Sequence, residues 1–288
     1  MLLETAMEEL PLLAFSLLLP ISVVAFGLMG LVRGISGSED ESLTCTLDKL
    51  MAIPVITTVL GLVSAMLHVG YPLHIFFMIL QVGTSPLSNE ILVCGGGAGV
   101  AILYWIFAMM RHPGAKTHLI CGIIVTLVGL TCGVFTGLAC MISTVPTWNT
   151  PFAPVGQCFG TLLGGCVYAA LMLAVAKHEE SKAASLMLAV LAIVGALGVI
   201  AVVFAQGSMI VSVMNSGGMT LAAHMGDYRA FAGAGALCIV AGLVAWQAGV
   251  RKGGLRLALT SIGALAVLVG LVCIRIDFYG IYLSAGLF

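Results

Sequence analysis

Eight runs of almost uncharged, apolar sequence dominate the chain, at about 11–32, 50–70, 90–110, 119–141, 153–176, 185–206, 230–250 and 255–274. Each is long enough to cross the roughly 30 Å hydrocarbon core of a bilayer, which takes about 20 apolar residues as a helix. A spanning segment must satisfy its own backbone, so only helices or a closed barrel can do this. The strict alternation of apolar and polar residues that a barrel strand needs is missing. The expected fold is therefore an all-α integral membrane protein: eight transmembrane helices forming a single polytopic domain over residues 1–288.

Charge settles orientation and excludes some functions. Only 8% of residues are charged and the net charge is −1, which leaves no basic surface for nucleic acid. Glu4, Glu8 and Glu9 precede the first basic residue, Arg33, so the start lacks the basic flank of a cleavable signal. The run beginning near Leu12 is thus expected to stay as the first span. Lysine and arginine mark cytoplasmic loops. Nine of the eleven fall in the odd-numbered connections: Arg33, Lys49, Arg111, Lys116, Lys177, Lys182, Arg251, Lys252 and Arg256. Both termini are then expected on the outer side. Within the first inner connection, the acidic, turn-rich stretch from Gly34 to Asp48 reads as a solvated loop.

Polar residues gather at the outer ends of spans rather than at their middles. In the second span Thr57, Gly61, Ser64 and His68 recur at spacings of four, three and four, which places them on one helix face. A small and polar stripe of this kind points to helix contact or a cavity, so His68 is expected to look inward. The third span repeats the pattern with Glu90, Cys94, Gly97 and Ala101. Gly129, Gly133 and Gly137, then Gly156, Gly160 and Gly164, predict close packing of the fourth and fifth spans. Between those two, residues 144–154 hold three prolines and Trp148, a rigid cap expected at the interface. Eight of the nine cysteines fall in spans without a CxxC pair and read as small packing residues.

The chemistry at that outer edge is protonic. An imidazole titrates near neutrality, and an edge carboxylate answers to burial and to a nearby cation such as Arg275. A hydrophobic two-electron, two-proton donor, a quinol, needs such groups at its hydroxyls. His68 and Glu90 are the candidate catalytic pair, and Asn89, Arg275 and Tyr279 complete the candidate quinol-binding set. Haem in a bundle is usually held by histidines facing one another. The others here (74, 112, 118, 178 and 224) lie in loops or at span edges on mixed sides, so no haem and no metal site are expected.

These stretches also resemble a known family. Residues 64–91, SAMLHVGYPLHIFFMILQVGTSPLSNEI, are similar to the outer hairpin of the membrane-anchor subunit of anaerobic dimethyl sulfoxide reductases. TVPTW at 144–148, Asp227-Tyr228, and Arg275 with Phe278-Tyr279-Gly280 match its other recurring stretches in order and spacing. The resemblance implies a multi-pass subunit of the bacterial inner membrane that oxidises menaquinol during anaerobic respiration. It implies docking on the outer face of an iron–sulfur subunit with four clusters and a molybdopterin catalytic subunit. It matches His68 and Glu90 to the family's quinol-site histidine and glutamate, and it implies no haem in the anchor. Two departures stand out. Glu8-Glu9-Leu10-Pro11-Leu12 replaces the family's His-Glu-Trp-Pro-Leu, and His74 replaces a commonly basic residue.

Two other classes compete with this reading. A purely structural anchor needs no quinone site. A secondary transporter places ionisable groups near the midplane, often at broken helices, and this chain has an apolar midplane.

Overall fold

The computed structural model describes residues 2–37, 41–68, 75–177, 181–222 and 225–285. Their helices are α1 (Leu2–Glu8), α2 (Leu10–Ser36), α3 (Glu41–Leu50), α4 (Ala52–His68), α5 (Ile75–Met78), α6 (Pro86–Arg111), α7 (Ala115–Ala139), α8 (Phe152–Val175), α9 (Lys182–Ile210), α10 (Met225–Arg251) and α11 (Arg256–Gly280). Among these residues, eight helices are long and apolar enough to cross a membrane: α2, α4 and α6 to α11.

Helix α2 is the hub. It packs against α4, α6, α7, α8, α9 and α11, while α10 leans on α11 at the edge. A helix surrounded in this way must be apolar on every side, and Leu19, Val23, Val24, Phe26, Leu28 and Met29 are all fully buried. Pro11 starts it, where the missing N–H costs nothing. Without a hydrophobic force between helices in lipid, close backbone approach drives association, and glycines supply it. A methyl group at Gly129 would meet Val24 at 2.7 Å, one at Gly133 would meet Thr161 at 2.6 Å, and one at Gly164 would meet Ile21 at 2.6 Å. At the edge pair, Gly242 and Gly263 each abut the other's carbonyl, at 2.7 and 2.6 Å.

Two expectations are corrected. The Gly34 to Asp48 stretch is not simply a solvated loop: Glu41–Leu50 is helical and brings Asp48 to 0% exposure against Arg33, with which it forms a buried ion pair. Arg33 sits in the last turn of α2, and a cation buried there requires a counter-charge. The last span runs on past 274 to Gly280, with Arg275 and Asp277 buried inside the bundle. Trp148, in the non-helical cap between α7 and α8, packs inward. It is 6% exposed, donates from Nε1 to the Phe278 carbonyl at 2.8 Å and stacks on the Phe278 ring. Thr147 adds a hydroxyl bond to the Ile281 carbonyl at 2.6 Å, so the proline-rich loop clamps the end of α11.

Candidate functional site

The end of the bundle where α2 begins and α4 and α11 end gathers the polar side chains anticipated above. The α4 stripe faces α2 as its spacing requires. Thr57 shares a hydroxyl bond with Ser22 at 2.6 Å, Gly61 abuts Leu19, and Ser64 donates to the Pro11 carbonyl at 2.8 Å. His68 closes the stripe but is 40% exposed rather than turned inward, its Nδ1 lying 3.7 Å from Glu9 Oε2. The kink between α1 and α2 holds Glu9 there. That Oε2 is buried and has no hydrogen-bond partner among the described residues.

Glu90 lies one helix away, in the first turns of α6. Ser85 caps this helix, its hydroxyl accepting from the Ser88 amide at 3.4 Å, and Pro86 occupies the position where proline is favoured. Asn89 braces the approach by accepting the Gly83 amide at 2.7 Å, across a turn whose φ of +90° suits glycine. Glu90 is 6% exposed and faces α7, beside the Thr136 hydroxyl. The rest of its stripe follows it in: Cys94 contacts Thr136 at 3.7 Å, and Gly97 lies against Cys132.

His68 and Glu90 are not joined directly by a hydrogen bond or ion pair. Cys140, at the end of α7, lies near Glu90, Arg275, Glu9 and Tyr279, and among the described residues His68 meets this group only through Glu9. Tyr279 is 2% exposed, packed edge-on to Trp148 and close to Ser16. Arg275 is 9% exposed, lies over the Phe278 ring at 5.3 Å and forms no ion pair with another described residue. It lines a narrow crevice of about 40 Å³ with Ser16, Gln157, Thr161 and Gln206. Thr161 Oγ1 and Gln206 Nε2 are buried there without partners among the described residues. Four of the five predicted residues, His68, Glu90, Arg275 and Tyr279, therefore share one end of the bundle, and Asn89 shapes the turn leading to it.

Comparison with known proteins supplies the family. A family model described as DMSO reductase anchor subunit covers residues 3–281. The protein belongs to that family. It is 28% identical over 233 residues to the YnfH polypeptide of an anaerobic dimethyl sulfoxide reductase of Escherichia coli K12, covering 79% of each. It is likewise 28% identical over 235 residues to another anaerobic dimethyl sulfoxide reductase polypeptide of that organism, again over 79% of each. An anaerobic dimethyl sulfoxide reductase polypeptide of Haemophilus influenzae is 24% identical over 177 residues, 62% of this sequence and 63% of that one. Anchor-family membership and eight apolar helices together make this a multi-pass membrane protein.

The sequence reading missed Glu9 and Cys140 as members of the site. Glu9 had a signal: it keeps the glutamate of the family's His-Glu-Trp-Pro-Leu pattern, two residues before Pro11. Cys140 had none, because its spacing is that of any packing cysteine. The readings that concern His74, His178 and His224 lie outside the described residues.

Proposed function

We propose that the protein is the menaquinol-oxidising anchor of a dimethyl-sulfoxide-reductase-type complex in the bacterial inner membrane, with the site face outward. The observation that carries this reading is the gathering of a histidine, two carboxylates, an arginine and a tyrosine at the end of the bundle where α2 begins. Family membership supports the anchoring role and the two partners, an iron–sulfur subunit and a molybdopterin catalytic subunit.

Oxidation of a quinol breaks two O–H bonds, releasing two protons and two electrons. His68 accepts one hydroxyl proton and Glu90 the other, since each offers an acceptor at the membrane edge. Glu9 lies behind the imidazole as the carboxylate that orients it and takes its proton onward. Arg275 and Tyr279 supply hydrogen-bond donors for the ring oxygens as these become carbonyls. The electrons pass to the docked iron–sulfur subunit. We read the anchor as free of haem, and the absorbance of the purified subunit should show no b-type Soret band.

Binding of a quinone analogue to the assembled complex tests the site. Substituting His68→Ala should abolish it, whereas a purely structural anchor would give the same binding, or none, in both proteins. Glu9→Gln should weaken quinol turnover by about 10²-fold, within the range of a lost proton-transfer partner, while leaving analogue binding within a few-fold.

A further inference from the structure

Below the site lies a second, larger space. A cleft of about 340 Å³ separates α4 from α11, backed by α2 and α8, with Leu17, Ile21, Val167, Leu171, Leu268 and Leu271 among its walls. Its few polar side chains are largely spoken for: Thr57 bonds Ser22 at 2.6 Å and Tyr168 at 3.1 Å. The cleft therefore offers a ligand almost nothing but hydrocarbon contact. Leu265 and Leu268 on its α11 side are 63% and 46% exposed, so it opens sideways onto lipid.

Its position selects the kind of molecule that fits. Leu17, Ile21 and Leu271 also line the crevice under Arg275, so the two spaces share a wall one helical turn from the proposed headgroup site. From there the cleft descends past the middle of the bundle to Leu171 and Ser261, in the halves of α8 and α11 nearer the basic end. A phospholipid tail entering from the site face stops near the midplane, about 15 Å down. A tail that begins at the site and fills the cleft must cross it.

We propose that this cleft holds the long isoprenoid tail of the quinol, and that the quinol enters from the bilayer between α4 and α11. The proposal rests on the quinol-site reading above. It makes affinity a property of the tail as well as the headgroup, through close packing of the tail against the cleft walls.

Kinetics of the purified complex with two donors provide the test: a long-tailed menaquinol and the tail-less 2-methyl-1,4-naphthoquinol. Ala264→Phe and, independently, Ser261→Phe place a ring in the cleft, and Leu197→Phe, on the lipid-facing side of α9, is the control. Losing the packing contacts of a few tail methylenes is worth about tenfold in affinity. Each cleft variant should raise KM for the long-tailed donor by about tenfold and leave KM for the tail-less donor within twofold. The control should change neither. Dye-linked turnover, which needs only the partner subunits, reports that the complex is assembled. Equal losses with both donors, or no loss with either, overturns the proposal. Failure of the quinol-site reading looks different, since His68→Ala would then leave oxidation of both donors intact and remove the premise.

Discussion

At the scale of single residues, Arg275 and Asp277 are buried without an ion pair among the described residues, whereas Arg33 and Asp48 answer each other. They do so at the basic end, in a cluster with His112, whose Nδ1 is 3.2 Å from Asp48 Oδ2, and with Trp105, which donates to the Asp48 carbonyl at 3.1 Å. Next to it Tyr104 and His118 are joined at 2.6 Å. Removing one member of a buried pair strands the other, at about 3–5 kcal/mol. Asp48→Asn should therefore lower the denaturation midpoint of the solubilised protein markedly, and the double change Arg33→Met with Asp48→Leu should recover much of the loss. A midpoint unchanged by Asp48→Asn would show that the pair contributes little. None of this cluster was legible in the sequence, where Asp48 closed an acidic stretch that looked solvated. A pair 15 residues apart reveals itself only when a helix turns one partner inward. By contrast His68 and Glu90 were legible as titratable groups at span ends. What the sequence lacked was the third dimension that brings Glu9 to His68 and Cys140 near Glu90 and Arg275.

At the scale of elements, the contrast among glycines shows what the spacing rules read correctly and where they stop. Four-residue glycine spacing in α7 and α8 translated into tight contacts with α2 at Gly129 and Gly164 and between the two helices at Gly133 and Gly137, whereas Gly156 faces α9 and Gly160 has ordinary clearance. In α6 the run Gly95-Gly96-Gly97 divides by face: a methyl at Gly97 would meet Cys132 at 2.5 Å, whereas Gly95 and Gly96 have nothing within 4 Å. Two opposite outcomes follow. Gly263→Val should destabilise the α10–α11 pair by about 1–3 kcal/mol, as overpacking does, seen as a lower thermal midpoint. Gly95→Ala should be neutral or stabilising by up to about 1 kcal/mol, because alanine favours helix. Loss of stability in the second variant would mean that Gly95 meets a partner subunit. The end of α11 escaped an apolarity reading for a related reason. A search for uncharged runs halts at Arg275, and only the clamp from Thr147 and Trp148 explains why the helix continues with two charged residues inside it.

At the scale of the whole molecule, eight apolar runs and the lopsided basic residues were enough to foresee the bundle, since lipid leaves the backbone few alternatives. The central place of α2 was not foreseeable, because every span is apolar and hydropathy cannot rank them. If, as proposed, quinol is oxidised and the acceptor reduced on one side, no charge crosses the bilayer. A potential-sensitive dye in vesicles should accordingly stay silent during turnover, and a response would place the two half-reactions on opposite faces. The most direct test of the account compares two electron donors in the assembled complex, menaquinol and an artificial dye that feeds the catalytic subunit. His68→Ala and Glu90→Gln should each abolish menaquinol-dependent reduction and leave dye-dependent reduction intact, whereas loss of both activities, or of neither, would contradict it.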